Sequence, residues 1–153
     1  YYVKEDQHLP GYLPNDEIWE IDATYEDQNL PAIFLEKEVE NQPTESYFTK
    51  TDIVTGEPVE GAKLQILDEE GTVVREWITT KEEHLEYALP AGNYILHEEL
   101  PPLEDGYVSA EDVSFEVKED GTITKVEMQD DFSKVDISKT DITGDTELVG
   151  VKL

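Results

Sequence analysis

Apolar and polar residues alternate with a period of two along most of this chain. Residues 113–117 read Val-Ser-Phe-Glu-Val, residues 123–128 read Ile-Thr-Lys-Val-Glu-Met, and residues 135–139 read Val-Asp-Ile-Ser-Lys. Such alternation puts apolar side chains on one face of a strand and polar side chains on the other, so each segment predicts a half-buried β-strand. The strongest candidate for a helical turn is the Lys-Glu-Glu run at 81–83.

Turn-forming sequences separate the predicted strands. Glu-Glu-Gly occurs at 69–71, Pro-Ala-Gly-Asn at 90–93, and Glu-Asp-Gly at both 104–106 and 119–121. Glycine, proline and asparagine at such points favour tight turns. Short strands at this spacing predict an all-β sandwich or barrel.

The sequence also repeats itself. Residues 47–52 end in Lys-Thr-Asp, as do residues 136–141, and each is followed by Thr-Gly and then by Gly-x-Lys-Leu. The two lysines of these motifs, Lys50 and Lys139, lie 89 residues apart. The same separation relates Val39-Glu40-Asn41 to Met128-Gln129-Asp130. The repeat unit is therefore about 90 residues long.

This period divides the chain into three parts. Residues 1–43 form the C-terminal part of one unit, residues 44–133 a complete unit, and residues 134–153 the start of a third. The short connections between units predict a stiff tandem array.

Composition narrows the possible partners. The chain has 38 acidic and 11 basic side chains, a formal net charge of -27, and such a surface repels nucleic acids and anionic membranes. It has no cysteine, which excludes disulfides, thiolate catalysis and zinc–thiolate sites. No apolar stretch is long enough to span a bilayer. If the protein is exported or anchored, we expect the signal peptide and the anchor to lie outside this segment.

Three ionisable residues fall on apolar strand faces. Lys50 shares a face with Phe48, Glu98 with Leu96, and Asp130 with Met128. Burial of any of them without a partner would be costly, so we expect the three to meet. The neighbouring Glu99 falls on the opposite face, which favours Glu98 as the buried carboxylate.

These residues belong to an ordered set of motifs that resembles the collagen-adhesin B-type domain, the SpaA-type or prealbumin-like repeat of Gram-positive surface and pilus proteins. The resemblance covers the middle unit and both partial units. Its motifs are Phe48-Thr49-Lys50-Thr51-Asp52, the segments 56–64 and 67–71, Leu89–Glu98, Gly106-Tyr107 and Met128-Gln129-Asp130. The resemblance implies an Ig-like, prealbumin-like β-sandwich.

The resemblance also implies one reaction. In this family a strand lysine forms an intramolecular amide with an asparagine or aspartate on the last strand, and a glutamate assists. Lys50 would be the nucleophile, Asp130 the acceptor and Glu98 the proton shuttle. Desolvation disfavours charge, a neutral amine is nucleophilic, and a neutral carboxylic acid is the better electrophile. The bond forms once and does not turn over, so we expect no enzyme activity.

The partial units carry incomplete sets. The first has Glu5 and Asn41, and the third has Lys139. In a longer parent chain we expect each to be bonded within its own complete unit. In this segment we expect them to be free, unless neighbouring molecules complement one another.

Other reactive residues predict no further site. His8, His84 and His97 have no metal-ligand spacing, and the acidic stretch 141–145 lacks the order of a calcium loop, so we expect no metal and no cofactor. Trp19 and Trp77 lie in strand-like segments, where packing is the favoured role. Hydrolase triads and phosphate loops are absent from the sequence.

The resulting interpretation is a stalk or spacer of a cell-wall-attached adhesin or pilin, extracellular and monomeric, whose partners are neighbouring repeats. The alternative is an adhesion module that recognises a host matrix or cell-surface molecule through its loops. A third possibility is the accessory domain of a secreted enzyme. Neither nucleic acid nor membrane is expected as a partner.

Overall fold

The computed structural model describes residues 1–24, 36–102 and 105–133, and within these ranges the chain folds into β-strands without an α-helix. None of the described residues belongs to a helix that could cross a membrane. The strands are β1 (Tyr2–Lys4), β2 (Ile18–Glu20), β3 (Glu45–Asp52), β4 (Lys63–Leu67), β5 (Val73–Ile78), β6 (His84–Tyr87), β7 (Gly92–Leu100), β8 (Val113–Val117) and β9 (Thr124–Asp130).

The strands of the middle unit form two sheets. One has three strands in the order β6-β3-β9, and the other has four in the order β5-β4-β7-β8. Neighbours are antiparallel except β3 and β9, which run parallel from Ser46 beside Thr124 to Asp52 beside Asp130. The first and last strands of the unit are therefore direct neighbours.

Alternation along the strands builds the core between the sheets. On β3 every second residue is buried, and β9 and β7 continue this pattern. The buried apolar residues come from both sheets and pack as a single cluster of Phe48, Ala62, Leu64, Ile66, Leu89, Tyr94, Leu96, Val117, Val126 and Met128. Removal of this apolar surface from water is the main force that holds the two sheets together.

The local predictions have different outcomes. The strand at 113–117 is confirmed as β8, and the strand predicted at 123–128 is present with bounds shifted to Thr124–Asp130. The helical turn at 81–83 is wrong, because residues 81 and 82 form a bend that leads into β6. That run is a short connection between strands and is too short to nucleate a helix. The strand predicted at 135–139 lies outside the described residues.

The N-terminal residues form a small unit of their own beside the middle unit. β1 and β2 pair as a two-stranded antiparallel sheet, with Val3 opposite Trp19. The contact with the middle unit centres on Glu119, whose carboxylate accepts hydrogen bonds from the Gly11 backbone N–H at 2.6 Å and from His8 at 2.9 Å. The Gly11 bond is the largest reason why the pKa of Glu119 lies below its usual value.

Gly11 is required at this contact. Its φ is +85°, and a Cβ atom there would lie 2.4 Å from the carbonyl oxygen of Ala88. Only glycine combines that backbone conformation with so close an approach. The N–H of Thr44, just before β3, donates to the Gly11 carbonyl at 2.8 Å. Gly11 is therefore hydrogen-bonded through both its N–H and its carbonyl.

Candidate functional site

Lys50 enters the core because of its position on β3. It lies two residues after Phe48, so it shares the buried face, and its side chain is 1% exposed. On the adjacent parallel strand its Cα partner is Met128, and Asp130 follows two residues later on the same face. This diagonal arrangement brings Lys50 Nζ within 2.5 Å of Asp130 Oδ1.

Glu98 approaches the same amine from the opposite sheet. It lies near the end of β7, two residues after the buried Leu96, and is itself buried. Its Oε1 is 3.1 Å from Lys50 Nζ, and its Oε2 accepts a hydrogen bond of 2.8 Å from the backbone N–H of Ala110. The amine therefore lies between carboxylates from two sheets, and a backbone donor holds one of them in place.

Burial dominates the electrostatics of Asp130. Desolvation raises the pKa of this carboxyl, Lys50 acts in the opposite direction, and the nearby Glu98 adds to the rise. Asp130 Oδ2 has no hydrogen-bond partner among the described residues. A raised pKa favours the neutral acid, which is the form that a nucleophile attacks most readily.

This arrangement has the parts needed for amide formation. The amine and the carboxyl are in contact, and a second carboxylate lies within hydrogen-bond distance of the amine. Groups that are already in contact avoid the entropy cost of an encounter in solution. A carboxylate at this distance from an amine can act as a general base.

A second carboxylate lies next to this site and has no role in the sequence-based account. Asp52 is buried on the same face of β3, two residues after Lys50, and it is the Cα partner of Asp130. It accepts hydrogen bonds from the N–H groups of Val54 and Thr55 and from the Tyr107 hydroxyl. The Thr55 bond is the main reason why the pKa of Asp52 lies below its usual value.

Both residues could have been found by extending the same arguments. Asp52 follows from strand parity, because it alternates with Lys50 and Phe48. Tyr107 follows from the repeated Gly-Tyr pair at 11–12 and 106–107. In the structure Tyr12 forms an antiparallel β-bridge with Pro43, and Tyr107 forms one with Phe132. The two Gly-Tyr pairs therefore make similar backbone contacts.

We expect Tyr107→Phe to lower the guanidinium midpoint by a few tenths molar (~0.3 M), because Asp52 loses one charge-assisted donor. The pKa of Asp52 is depressed in the folded state, so its stabilisation is present above the unfolded carboxyl pKa and is lost as the pH falls through the folded value. The difference from wild type should therefore shrink in acid. Tyr2→Phe is the control, because the Tyr2 hydroxyl is exposed and 3.4 Å from Glu20. It should leave the guanidinium midpoint unchanged. A midpoint difference that is equally large at pH 2 would contradict this role for Asp52.

Two predicted residues of the N-terminal unit, Glu5 and Asn41, are in contact. Asn41 Nδ2 donates to Glu5 Oε1 at 2.8 Å, and the backbone N–H of Asn15 donates to Glu5 Oε2 at 2.8 Å. The backbone N–H of Asn15 thus holds Glu5 as the backbone N–H of Ala110 holds Glu98. Lys139, the lysine of the third part, lies outside the described residues.

The remaining predictions concern neighbouring side chains. Glu99 points away from the core, as expected, and pairs with Lys63 at 2.6 Å. Trp19 is buried in β2, and Trp77 packs on Phe48 and stacks on His84, so packing is confirmed for both tryptophans. His8 and His97 each pair with one carboxylate. The acidic stretch at 141–145 lies outside the described residues.

Comparison with known proteins identifies a matching family and several structures with a similar fold. The family model described as SpaA, prealbumin-like fold domain, matches residues 45–131. The Bacillus anthracis TIE protein is 30% identical with a TM-score of 0.57, over 86% of this chain and 24% of that protein. No curated protein matches the sequence.

Two pilus proteins share the fold. The minor pilin GBS52 of Streptococcus agalactiae has a TM-score of 0.54 at 14% identity, over 65% of this chain and 51% of that protein. The group B streptococcus pilus 2b backbone protein has a TM-score of 0.51 at 15% identity, over 71% and 46% of the respective chains. The chain thus spans about half or less of the length of each of these proteins.

Proposed function

Because the chain belongs to the SpaA family of prealbumin-like fold domains, a Cna B-like group, we propose that it is a load-bearing stalk segment of a Gram-positive surface protein, an adhesin or a pilin, anchored to the cell wall. In this proposal an amide between Lys50 and Asp130, formed once with the help of Glu98, stabilises the complete unit. The tandem division at 1–43, 44–133 and 134–153 is part of the same proposal.

The observation that supports the proposal best is the position of the three groups. Lys50 Nζ lies 2.5 Å from Asp130 Oδ1 and 3.1 Å from Glu98 Oε1, and all three side chains are buried. A buried lysine with two carboxylates is a poor device for stability alone, because the desolvation cost is large. Conversion to an amide removes two of the three charges and leaves the Glu98 carboxylate available to transfer protons.

The reaction balances in atoms and charge. The Lys50 amine attacks Cγ of the protonated Asp130 carboxyl, and a C–N bond forms. Glu98 accepts a proton from the nitrogen and passes it to the departing hydroxyl, which leaves as water. Glu98 ends in the state in which it began, so the process consumes no cofactor.

The strand order makes this amide useful under tension. β3 opens the unit and β9 closes it, and the two are parallel neighbours. A pull on the chain at both ends of the unit therefore loads the β3–β9 ladder in shear, with its hydrogen bonds strained together. A covalent bond between these two strands would carry the load directly and bypass the rest of the sandwich.

Stretching of single molecules tests this proposal. Lys50 and Asp130 are 80 residues apart, so with the amide the segment between them should release no length. Without it, unfolding should release roughly 270 Å, at about 3.4 Å per residue. Lys50→Met is the control and should release the full length. Full extension of wild type would contradict the load-bearing function.

A further inference from the structure

Strand pairing fixes two of the three groups at the amide site relative to each other. Lys50 and Asp130 lie on β3 and β9, which are paired in one sheet, whereas Glu98 lies on β7 of the other sheet. The Oε2 atom of Glu98 accepts a hydrogen bond of 2.8 Å from the backbone N–H of Ala110. Ala110 lies outside the strands, in the connection between β7 and β8. The position of the Glu98 carboxylate therefore depends on how that connection is held.

Residues 106–110, which we call the bridging segment, lie beside the chain that follows β9. The N–H of Val108 donates to the Asp131 carbonyl at 3.0 Å. The Tyr107 ring stacks on Phe132, with 4.3 Å between the ring centroids. Both partners come directly after β9, so the bridging segment connects the acceptor strand of one sheet to the glutamate of the other.

A buried carboxylate on the lysine strand also holds the bridging segment. The Tyr107 hydroxyl donates to Asp52 Oδ2 at 3.0 Å, and Asp52 is 2% exposed, two residues after Lys50 on β3. Its Oδ1 accepts hydrogen bonds from the N–H groups of Val54 and Thr55 at 2.8 Å and 2.7 Å, which fix the carboxylate at the end of its own strand. Burial and the bond to Asp52 raise the pKa of Tyr107, so its hydroxyl stays protonated and remains a donor.

We propose that the hydrogen bond from Tyr107 to Asp52 positions Glu98 for amide formation. It holds the bridging segment, and the Ala110 N–H then keeps the Glu98 carboxylate at the Lys50 amine. Tyr107 and Ala110 are three residues apart, and an extended chain spans at most about 10 Å over that interval, so a displaced tyrosine leaves the N–H little slack. The inference rests on the proposed function, because it assigns positioning residues to that reaction.

The burial of Asp52 indicates a role in geometry. Asp52 is the Cα partner of Asp130, so the fold holds a second carboxylate beside the acceptor. Removal of such a group from water is costly, and the hydrogen bonds that compensate for it leave little net stability. A misplacement of about 1 Å at a reacting group, by contrast, can slow a reaction about 100-fold. We therefore expect the bond to Tyr107 to matter more for the rate of amide formation than for the stability of the fold.

Tyr107→Phe tests this positioning role, because it removes the hydroxyl and keeps the ring that stacks on Phe132. The amide should form at least about 10-fold more slowly than in wild type, since Glu98 is no longer held at the amine. Each chain is made by pulse-labelled cell-free synthesis, so that intact mass follows the loss of one water from newly folded protein. Thr44→Val is the matched control, because it removes a buried hydroxyl that donates to the Leu89 carbonyl at 2.7 Å, before the start of β3. Its rate of amide formation should equal that of wild type.

Combination with Glu98→Gln separates positioning from a general loosening of the fold. If Tyr107 acts through the Glu98 carboxylate, Tyr107→Phe should slow the Glu98→Gln chain further by no more than about 2-fold, within the scatter expected for such cycles. An equal slowing in both backgrounds would indicate a loosened fold and would overturn the inference. A wild-type rate in the Tyr107→Phe chain, or an equally slow Thr44→Val chain, would overturn it as well.

Asp52 provides a second pair of variants. Asp52→Ala removes the acceptor and should slow amide formation as Tyr107→Phe does. Asp52→Asn keeps the shape of the side chain, and its amide can still bond the Tyr107 hydroxyl, so it should regain most of the lost rate. An Asp52→Asn chain as slow as Asp52→Ala would show that the charge of Asp52 sets the rate, and the positioning role would be wrong.

These outcomes differ from a failure of the proposed function. If the wild-type chain loses no water, the amide does not form and the proposed function fails. If wild type loses one water and the Tyr107→Phe chain loses it equally fast, the positioning role alone is wrong.

Discussion

Replacement of Lys50 with methionine should lower the free energy of unfolding by about 4 to 5 kcal/mol, through loss of the cross-link. The amide would close a loop between residues 80 positions apart, and the chain-entropy relation gives this magnitude for such a loop. For a domain of this size the melting temperature should fall by roughly 20 °C or more. Methionine keeps the length and the apolar stem of lysine, so packing is largely preserved. Calorimetry measures the effect, and intact mass reports the missing bond.

Lys63→Met is the matched control for this experiment. Lys63 is also a strand lysine with two carboxylate partners, Glu76 at 3.2 Å and Glu99 at 2.6 Å, but it lies at the surface. Surface ion pairs contribute little, so its replacement should leave the melting temperature nearly unchanged. Equal losses in the two variants would show that Lys50 acts as an ordinary ion-pair partner and would contradict the cross-link.

The stability of the Lys50→Met chain should also depend on pH in a defined direction. Burial raises the folded-state pKa of Asp130 above its unfolded value. The folded state then binds this proton more tightly, so the contribution of Asp130 is most favourable below the unfolded pKa and is lost as the pH rises through the folded pKa. The unbonded variant should therefore recover part of its lost stability in mild acid.

The second large effect concerns the rate of bond formation. Glu98→Gln preserves the size of the side chain and its bond from the Ala110 N–H, but it removes the carboxylate that we propose accepts and returns a proton. General acid–base catalysis contributes about 10²- to 10⁴-fold, so the amide should form at least about 100-fold more slowly. The time course of the 18 Da loss after refolding from denaturant measures this rate.

The neighbouring residue provides the control for Glu98. Glu99→Gln changes the adjacent carboxylate on the exposed face, where it contacts Lys63 and Gln65. Its rate of bond formation should equal that of wild type. If Glu98→Gln forms the bond as fast as Glu99→Gln, Glu98 is not the proton shuttle and its carboxylate has another role.

The alternating pattern contained enough information to identify the three buried groups. Strand parity alone puts Lys50 with Phe48, Glu98 with Leu96 and Asp130 with Met128, and the structure buries all six. The cost of burying an unpaired charge then requires the groups to meet, and they do. This part of the site depends on local pattern and on a single energetic rule, and both can be read from a sequence.

The rest of the site depends on long-range pairing that local pattern does not determine. The parallel register that sets Lys50 beside Met128, and therefore near Asp130, joins strands far apart in the chain. The Ala110 N–H that holds Glu98 comes from an irregular segment before β8. The bond from Tyr107 to Asp52 likewise connects residues 55 positions apart. Alternation predicts which face a side chain occupies, but it does not predict which strand lies beside it.

The intact mass of the purified, denatured chain shows whether the amide between Lys50 and Asp130 has formed. We expect a mass about 18 Da below that of the sequence, the mass of one water lost as the amine displaces the hydroxyl, and peptide mapping that joins Lys50 to Asp130. Asp130→Asn should still form the bond, with a loss of about 17 Da, and Asp130→Ala should show no loss. A wild-type mass equal to that of the sequence, in protein that has folded, would show that no amide forms and that packing alone holds the sandwich together.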